Sequence, residues 1–398
     1  MSNKTTVQYV RRPEYYKDFH CTGSDCTVNC CFGWNSIGWT EKEYKKITSA
    51  DMSEELQTKI EEAFEPITDK ILKAIFDYKV KYVDSKCPML DKNGLCMIQK
   101  ELGEEYLSCT CRSYPRKKYV SGNIMIYTCS SSCVQVLKIV CNNETAMNLE
   151  NIGQLDGSNM AEALYTNKDK LNHPLLKHER ELFEFFYEIL SDRTHSIETS
   201  FVLAGMAAQK IDEFAKKGQT DRVPEIIKAL KPQLGSPAQI EKLESAKENL
   251  SLKGNFAAGL LERTNGAYIY RNVFENGIPS EEKWNEGLAR WNEAFGDRPY
   301  VMRNIALNFF LSQRMPFRDK ELTLFENISY LAAQMSVTKF LAAAVPVQFE
   351  KNAEELFYIS TAYVDRSFTH SSGMVKNIIK YIKDFGITSP AYLMGILR

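Results

Sequence analysis

The stretch Cys21-Thr22-Gly23-Ser24-Asp25-Cys26-Thr27-Val28-Asn29-Cys30-Cys31 sets four cysteines in one short run. Outward from it come Cys87, Cys96, Cys109, Cys111, Cys129 and Cys133, and Cys141 closes the series. All 11 cysteines of this 398-residue chain lie in its first part. Three causes gather cysteines in this way: disulfides, a thiolate-bound metal, or chance clustering of small buried hydrophobes. Disulfides need an oxidising compartment, and the opening Met1-Ser2-Asn3-Lys4-Thr5-Thr6-Val7-Gln8-Tyr9-Val10 lacks the apolar run of a secretion signal. An odd cysteine count and a hydrophobic fraction of 44% in so long a chain also differ from a small bridge-stapled scaffold. Chance would scatter thiols downstream, where there are none. Metal or iron–sulfur ligation is the expectation, with bridges and inert packing as the alternatives.

Gly23, Ser24, Asp25 and Asn29 mark the run as loop. A loop lets several thiolates converge on one point, whereas a strand sends neighbours to opposite faces. Cys30 and Cys31 are adjacent, so one binds while the other packs, or each serves a different iron. Phe32, Gly33, Trp34 and Trp39 either roof such a site against water or are ordinary core aromatics. The spacings are x4, x3, zero, x8, x1 and x3, and no Cys-x2-Cys zinc knuckle occurs. Ligands arriving from many loops suit an iron–sulfur cluster, with zinc as the second choice. Radical enzymes that split S-adenosylmethionine carry Cys-x3-Cys-x2-Cys; Cys26-x3-Cys30 begins that way, but the third position is Gly33. Neither Gly-x-Gly-x-x-Gly nor a phosphate loop is present. His173, His178, His195 and His370 are dispersed without ligand spacing, and His20 beside Cys21 reads as incidental.

A net charge of −1 gives the whole chain no broad field for nucleic acid or membrane. The longest apolar run, Phe340 to Val347, is broken by Pro346 and falls short of the roughly 20 residues of a span. The expectation is a soluble cytoplasmic protein with no nucleic-acid or membrane partner.

Along the chain, Val7, Tyr9 and Val10 read as extended ahead of a turn at Pro13. Residues 52 to 80 read as helix in two pieces divided at Pro66. Asp91 to Gly94 is turn chemistry that sets Cys87 and Cys96 across a hairpin-like loop. A short helix from Met97 to Leu102 stops at Gly103. Cys109-Thr110-Cys111-Arg112-Ser113-Tyr114-Pro115-Arg116-Lys117-Lys118 puts basic side chains beside thiols. Those side chains either offset cluster charge and grip an anion, or form a solvated basic loop. Tyr119 to Tyr127 alternates around Ser121-Gly122-Asn123, a β-hairpin, and Cys133 precedes a helix from Val134 to Val140. A boundary falls between Asn142 and Asn167. Beyond it, apolar stripes predict helices at Glu179 to Leu190 and Phe201 to Phe214. Further helices are predicted near 224–231, 237–250, 281–295, 301–313, 319–344, 352–364 and 374–385, with a long loop from Thr264 to Ile278. The fold class is mainly α: a cysteine-rich domain at 1–150 with loops and a small hairpin, then a helical domain at 151–398.

The ordered set Cys-x4-Cys-x3-Cys-Cys, Gly33-Trp34, Cys87-Pro88, Gly94-Leu95-Cys96 and Cys111-Arg112-x-Tyr114-Pro115-Arg116 resembles the flagellin lysine-N-methylases. It also resembles the wider group of zinc- or iron-chelating proteins with a CxxCxxCC start, against which the first spacings here are longer. The motifs cover residues 21 to 133; the remainder is similar in length and helical character. This resemblance implies methylation of flagellin lysine ε-amines, S-adenosylmethionine as donor, and an iron–sulfur cluster, a four-iron one before zinc. Carried over by position, the implied ligands lie among Cys21, Cys26, Cys30, Cys31, Cys87, Cys96, Cys111 and Cys133. Cys109, Cys129 and Cys141 fall outside the pattern. Tyr114 is the candidate for assisting lysine deprotonation, and Arg112 and Arg116 for holding the methionine carboxylate. The helical region would receive flagellin or another protein. The rival reading is a non-catalytic metal-binding, redox or interaction module.

Overall fold

In the computed structural model the described residues are 9–28, 30–31, 36–69, 72–84, 86–153, 173–264, 266–275, 277–349, 351–370 and 373–398. Among them, seven strands build two sheets: β1 (Tyr9–Pro13), β2 (Ser36–Trp39), β3 (Phe64–Pro66), β4 (Tyr78–Lys81), β5 (Arg116–Ser121), β6 (Ile124–Cys129) and β7 (Leu149–Asn151). A two-stranded ribbon at Phe274–Glu275 and Ile278–Pro279 stands apart, and the rest is chiefly helix, as the sequence predicts.

The chain divides into two compact units that do not follow the boundary expected near residue 150. The larger comprises residues 1–19, 118–132 and 136–398; the smaller comprises 20–117 and 133–135.

The larger unit holds a sheet of order β5-β6-β1-β7. β5 and β6 are the expected hairpin, turning at Gly122, whose φ of +59° suits a residue without a side chain. The extended start pairs in parallel with β6 in the register Tyr9 with Ile124 and Arg11 with Ile126. β7 then adds antiparallel to β1, Arg11 facing Asn151. Val7 lies outside the described residues. One polar node joins this sheet to the helices. Tyr15 donates from its hydroxyl to Asn308 Oδ1 at 2.7 Å, and Asn308 Nδ2 donates to the Ser131 hydroxyl at 2.6 Å and the Cys129 carbonyl at 3.2 Å. All four residues are fully buried, so the node satisfies groups that would otherwise be stranded.

The core helix is Leu324–Gln348, packed by Ile197–Lys216, Leu250–Arg263, Glu281–Phe295 and Ala353–Thr369. Its start is doubly capped. Thr323 and Glu326 form a capping box, and the Asp212 carboxylate accepts the backbone N–H groups of Leu324 and Phe325 at 3.0 and 2.9 Å. By length and composition this helix could cross a membrane, but 94% of its most apolar stretch is buried in the fold, the pattern of a core helix. Helix Glu281–Phe295 approaches it through Gly287, where an added Cβ would lie 2.0 Å from the Ala343 carbonyl oxygen. The predicted helices recur at Glu179–Ser191, Val223–Leu230, Pro237–Glu244, Val301–Ser312 and Met374–Asp384. Leu250–Arg263 and Pro390–Leu397 are helices not foreseen in the sequence. The loop expected at Thr264 to Ile278 contains two 3₁₀ turns and the small ribbon; Asn265 and Asn276 lie outside the described residues.

In the smaller unit the sheet order is β2-β4-β3, with Ile37 opposite Val80 and Phe64 opposite Val80 on the other side. Helices Glu41–Thr48 and Glu54–Ala63 bury Ile47, Leu56 and Ile60 beside Trp39 and Val80. Among the described residues from Ile67 to Val80, the expected helix is not formed. Tyr78-Lys79-Val80-Lys81 alternates with a period of two, and that segment is the central strand β4. Pro66 ends the edge strand β3, where its missing N–H leaves no ladder bond unmade. The basic stretch, for which a solvated loop was one of two readings, contains a short helix, Cys109–Ser113, capped by the Ser108 hydroxyl on the Cys111 N–H at 3.1 Å.

Candidate functional site

Within the smaller unit, three local devices bring thiols together. The Cys87 N–H donates to the Cys31 carbonyl at 3.0 Å, tying the first cysteine run to the second. Asp91 accepts the Asn93 and Leu95 N–H groups at 2.8 and 3.0 Å, and this tight turn returns the chain so that Leu90 bridges to Cys96. This is the hairpin-like loop that the sequence predicts. Glu43 supplies the third device. Its carboxylate accepts the Thr40 N–H at 2.8 Å and the Cys109 N–H at 2.7 Å, fixing the start of the helix that carries Cys111.

Electrostatics shows which thiols are neighbours. Cys31 is raised far above the ordinary thiol range by its contact with the Cys30 thiol, then by burial, then by Cys87 and Cys111. Burial pushes Cys87 up to about 11, and Cys96 and Cys30 add repulsion. Cys96 is raised by burial and by Cys30. Desolvation raises the Cys111 thiol, and Cys87, Cys96 and Cys30 add repulsion, but the residue is exposed and the water reaching it weakens the effect. Tyr82, unremarked in the sequence, is raised by burial and then by Cys87, Cys111 and Cys31. Five of the eight expected ligands, Cys30, Cys31, Cys87, Cys96 and Cys111, thus form one mutually repelling group.

The other three are placed differently. Cys21 accepts the Gly23 N–H at 3.4 Å and Cys26 donates to the Val28 carbonyl at 3.2 Å, both contacts within their own loop. Cys133 stands ahead of helix Val134–Asn142, and residues 133–135 cluster with the cysteine-rich unit rather than with the rest of that helix. Cys129 and Cys141 are buried in the larger unit, where burial raises Cys141. Arg112 and Arg116 are exposed, and Tyr114 caps the helix Cys109–Ser113. Neither arginine is among the strongest influences on Cys31, Cys87, Cys96 or Cys111. Phe32, Gly33 and Trp34 lie outside the described residues, while Trp39 is a core residue beside Phe64.

Among the described residues, no group of three or more His, Cys, Asp or Glu side chains is drawn into metal-holding geometry. The donor chemistry nevertheless fits a cationic centre. Half-buried thiols such as Cys31, Cys87 and Cys96, which repel one another with no ammonium or guanidinium among their strongest influences, stay protonated. A bound metal would supply the positive charge that lets them ionise.

Comparison with known proteins bears on the whole chain. The profile of the FliB lysine N-methylase C-terminal domain matches residues 183–396, more than half of the sequence. The lysine-N-methylases of Salmonella choleraesuis strain SC-B67 and Salmonella typhimurium strain LT2 are each 23% identical over 401 residues, covering 94% of this chain and 95% of each relative. The flagellar biosynthetic protein FliU of Salmonella muenchen is 31% identical over 142 residues, 35% of this chain and 81% of that protein. No solved structure matches. With its cysteine-rich unit and a helical unit matched over most of its length, the chain belongs to the FliB lysine N-methylase family, and it is a methyltransferase of protein lysines.

Proposed function

We propose that the protein methylates lysine ε-amines of flagellin with S-adenosylmethionine as donor, and that its gathered thiols hold an iron–sulfur cluster. The observation that carries the first part is the 94% coverage by lysine-N-methylase relatives, supported by the flagellar name of the shorter relative. The five-thiol group supports the second part. Four of Cys30, Cys31, Cys87, Cys96 and Cys111 supply the thiolates that a cube-type cluster needs.

The transfer is an in-line displacement. The lysine nitrogen lone pair forms a bond to the sulfonium methyl carbon, the carbon–sulfur bond breaks, and S-adenosylhomocysteine leaves as a neutral thioether. The lysine must first lose a proton, since its free pKa is about 10.4. The protein's task is to remove that proton and hold both reactants in attack geometry. A neutral amine is a competent nucleophile, so a radical is not required. The cluster, when bound, organises the loops that carry its ligands.

The test is an anaerobic purification followed by iron, sulfide and zinc analysis and a transfer assay with labelled donor and purified flagellin. About four irons and four sulfides per chain, lost in Cys87→Ser, together with label on flagellin lysines, is the expected result. Stoichiometric zinc would overturn the cluster, and label absent from flagellin but present on another protein would overturn the substrate.

A further inference from the structure

Helix Ala353–Thr369 ends on His370, its C-terminal cap, whose backbone N–H donates to the Arg366 carbonyl at 3.0 Å. The His370 imidazole is the outer end of a line of hydrogen bonds that runs inward to a carboxylate. Its Nε2 lies 3.3 Å from the Ser132 hydroxyl, which lies 2.8 Å from the Ser130 hydroxyl, and Ser130 donates to Asp365 Oδ2 at 2.9 Å. His370 is exposed, whereas Asp365, Ser130 and Ser132 are only 0, 0 and 2% exposed. The other carboxylate oxygen accepts the Gln334 amide at 3.2 Å, and the Thr369 hydroxyl donates to the Asp365 carbonyl at 2.6 Å.

Each serine has one hydroxyl proton to give, which fixes the direction of the line. Ser130 gives its proton to Asp365, so it accepts from Ser132. Ser132 gives its proton to Ser130, so it accepts from His370. The imidazole therefore carries its hydrogen on Nε2 and its lone pair on Nδ1. Ser132 is not a nucleophile, since its proton points away from the imidazole and its oxygen is covered. Burying a carboxylate among neutral donors costs stability, and here it backs one exposed ring. Positive charge arriving on His370 meets the carbonyl end of a 17-residue helix and, through two polarised hydroxyls, a buried carboxylate. Arg318, which donates to the Phe368 carbonyl at 3.0 Å, opposes that charge from the same helix end, so a proton taken is released again.

We propose that His370 is the base that takes the proton of the substrate lysine, with Ser132, Ser130 and Asp365 as positioning residues behind it. The ammonium proton passes to His370 Nδ1, and the lone pair left on the lysine nitrogen attacks the donor methyl carbon as the carbon–sulfur bond breaks. The imidazolium then gives its proton to water. The inference rests on methyl transfer to lysine, and it moves the deprotonating role from Tyr114 to His370.

The test is initial-rate transfer from labelled S-adenosylmethionine to flagellin by the anaerobically purified full chain, beside nitrogen NMR of protein with isotope-labelled histidines. The chain has five histidines, so the His370 signals are assigned by their loss in His370→Gln. His370→Ala is expected to lower kcat about a hundredfold with KM little changed, and added imidazole to restore part of the rate. Ser132→Ala keeps the ring but removes its acceptor. It is expected to lower kcat about tenfold, the loss of one hydrogen bond, without imidazole rescue, and to move the ring hydrogen off Nε2. Wild-type kcat in folded His370→Ala would overturn the base assignment and leave the methylase reading intact. A lowered kcat that imidazole does not restore, with the ring hydrogen unmoved in Ser132→Ala, would overturn it too, leaving the line a purely structural one. No transfer by the wild-type chain to any protein acceptor would overturn both readings.

Discussion

Glu244 shows how much a single exposed-edge carboxylate can be asked to do. It accepts the Ser196 N–H at 2.9 Å, the Ser196 hydroxyl at 2.7 Å and an Arg398 N–H at 3.2 Å, joining three distant parts of the chain. Burial raises its pKa, but the hydrogen bonds from Thr199 and Ser196 and the charge of Arg398 more than reverse this, holding it down to about 2. A carboxyl depressed below its unfolded value of about 4.3 stabilises the fold above that pH. The contribution is lost as pH falls through the folded value. Glu244→Gln is therefore expected to unfold at lower urea than wild type at pH 7, the gap closing between about pH 4.3 and about pH 2. An equal gap at both ends of that window would exclude the carboxylate as its source. Single residues were unevenly legible in the sequence. Cysteine is chemically distinctive, so the set was readable; which five meet was not, because spacing does not say where loops return. Glu43 could have been found only as the second half of the Thr40-x-x-Glu43 capping box. The line from Asp365 through Ser130 and Ser132 to His370 was invisible, since residues so distant in sequence carry no sign that they meet.

At the scale of elements, amphipathic periodicity located most helices of the larger unit because each buries one face. Leu324–Gln348 was found in spite of having almost no polar face; its start is marked by Thr323 and Glu326, and most of its surface is covered. The segment from Ile67 to Val80 misled for the opposite reason. Its spaced isoleucines mimic a helical face, while the pairing that makes β4 central comes from strands distant in sequence. Close approach of helices is sharper than pattern can show. At Gly287 an added methyl meets the Ala343 carbonyl oxygen at 2.0 Å, so one backbone must move. Helix propensity favours alanine by about 1 kcal/mol, and overpacking opposes it by about 1–3 kcal/mol. Gly287→Ala is expected to lower the melting temperature by several degrees. Gly373→Ala, whose Cβ meets nothing within 4 Å, serves as the control and should leave it unchanged. Equal melting of the two variants would mean that the helices have room to separate.

The whole molecule is less sequential than its composition suggests. A change of character near residue 150 is real in the sequence, but it marks where cysteines end, not where the compact units divide. Residues 9–19 look like the lead-in to the cysteine run and instead belong to the larger unit. The reason is pairing: β1 is the central partner of both β6 and β7, and a short strand carries no sign of which distant segment it will join. Deleting residues 1–13 removes that partner and leaves β6 and β7 with open edges. The truncated chain is expected to melt well below the full one, by circular dichroism, although every cysteine remains. Unchanged melting would show that the helices hold the larger unit without its sheet.

The parallel register of Tyr9 with Ile124 has a consequence for the ribosome. Strand β1 is synthesised before residues 20–117, the main stretch of the cysteine-rich unit, and its mate β6 only after them. Until then its edge groups are unmet, and closing the pair spans a long intervening chain, an entropic penalty that shrinks if the insert has already compacted. Birth order lets residues 20–117 compact before β1 and β6 can pair.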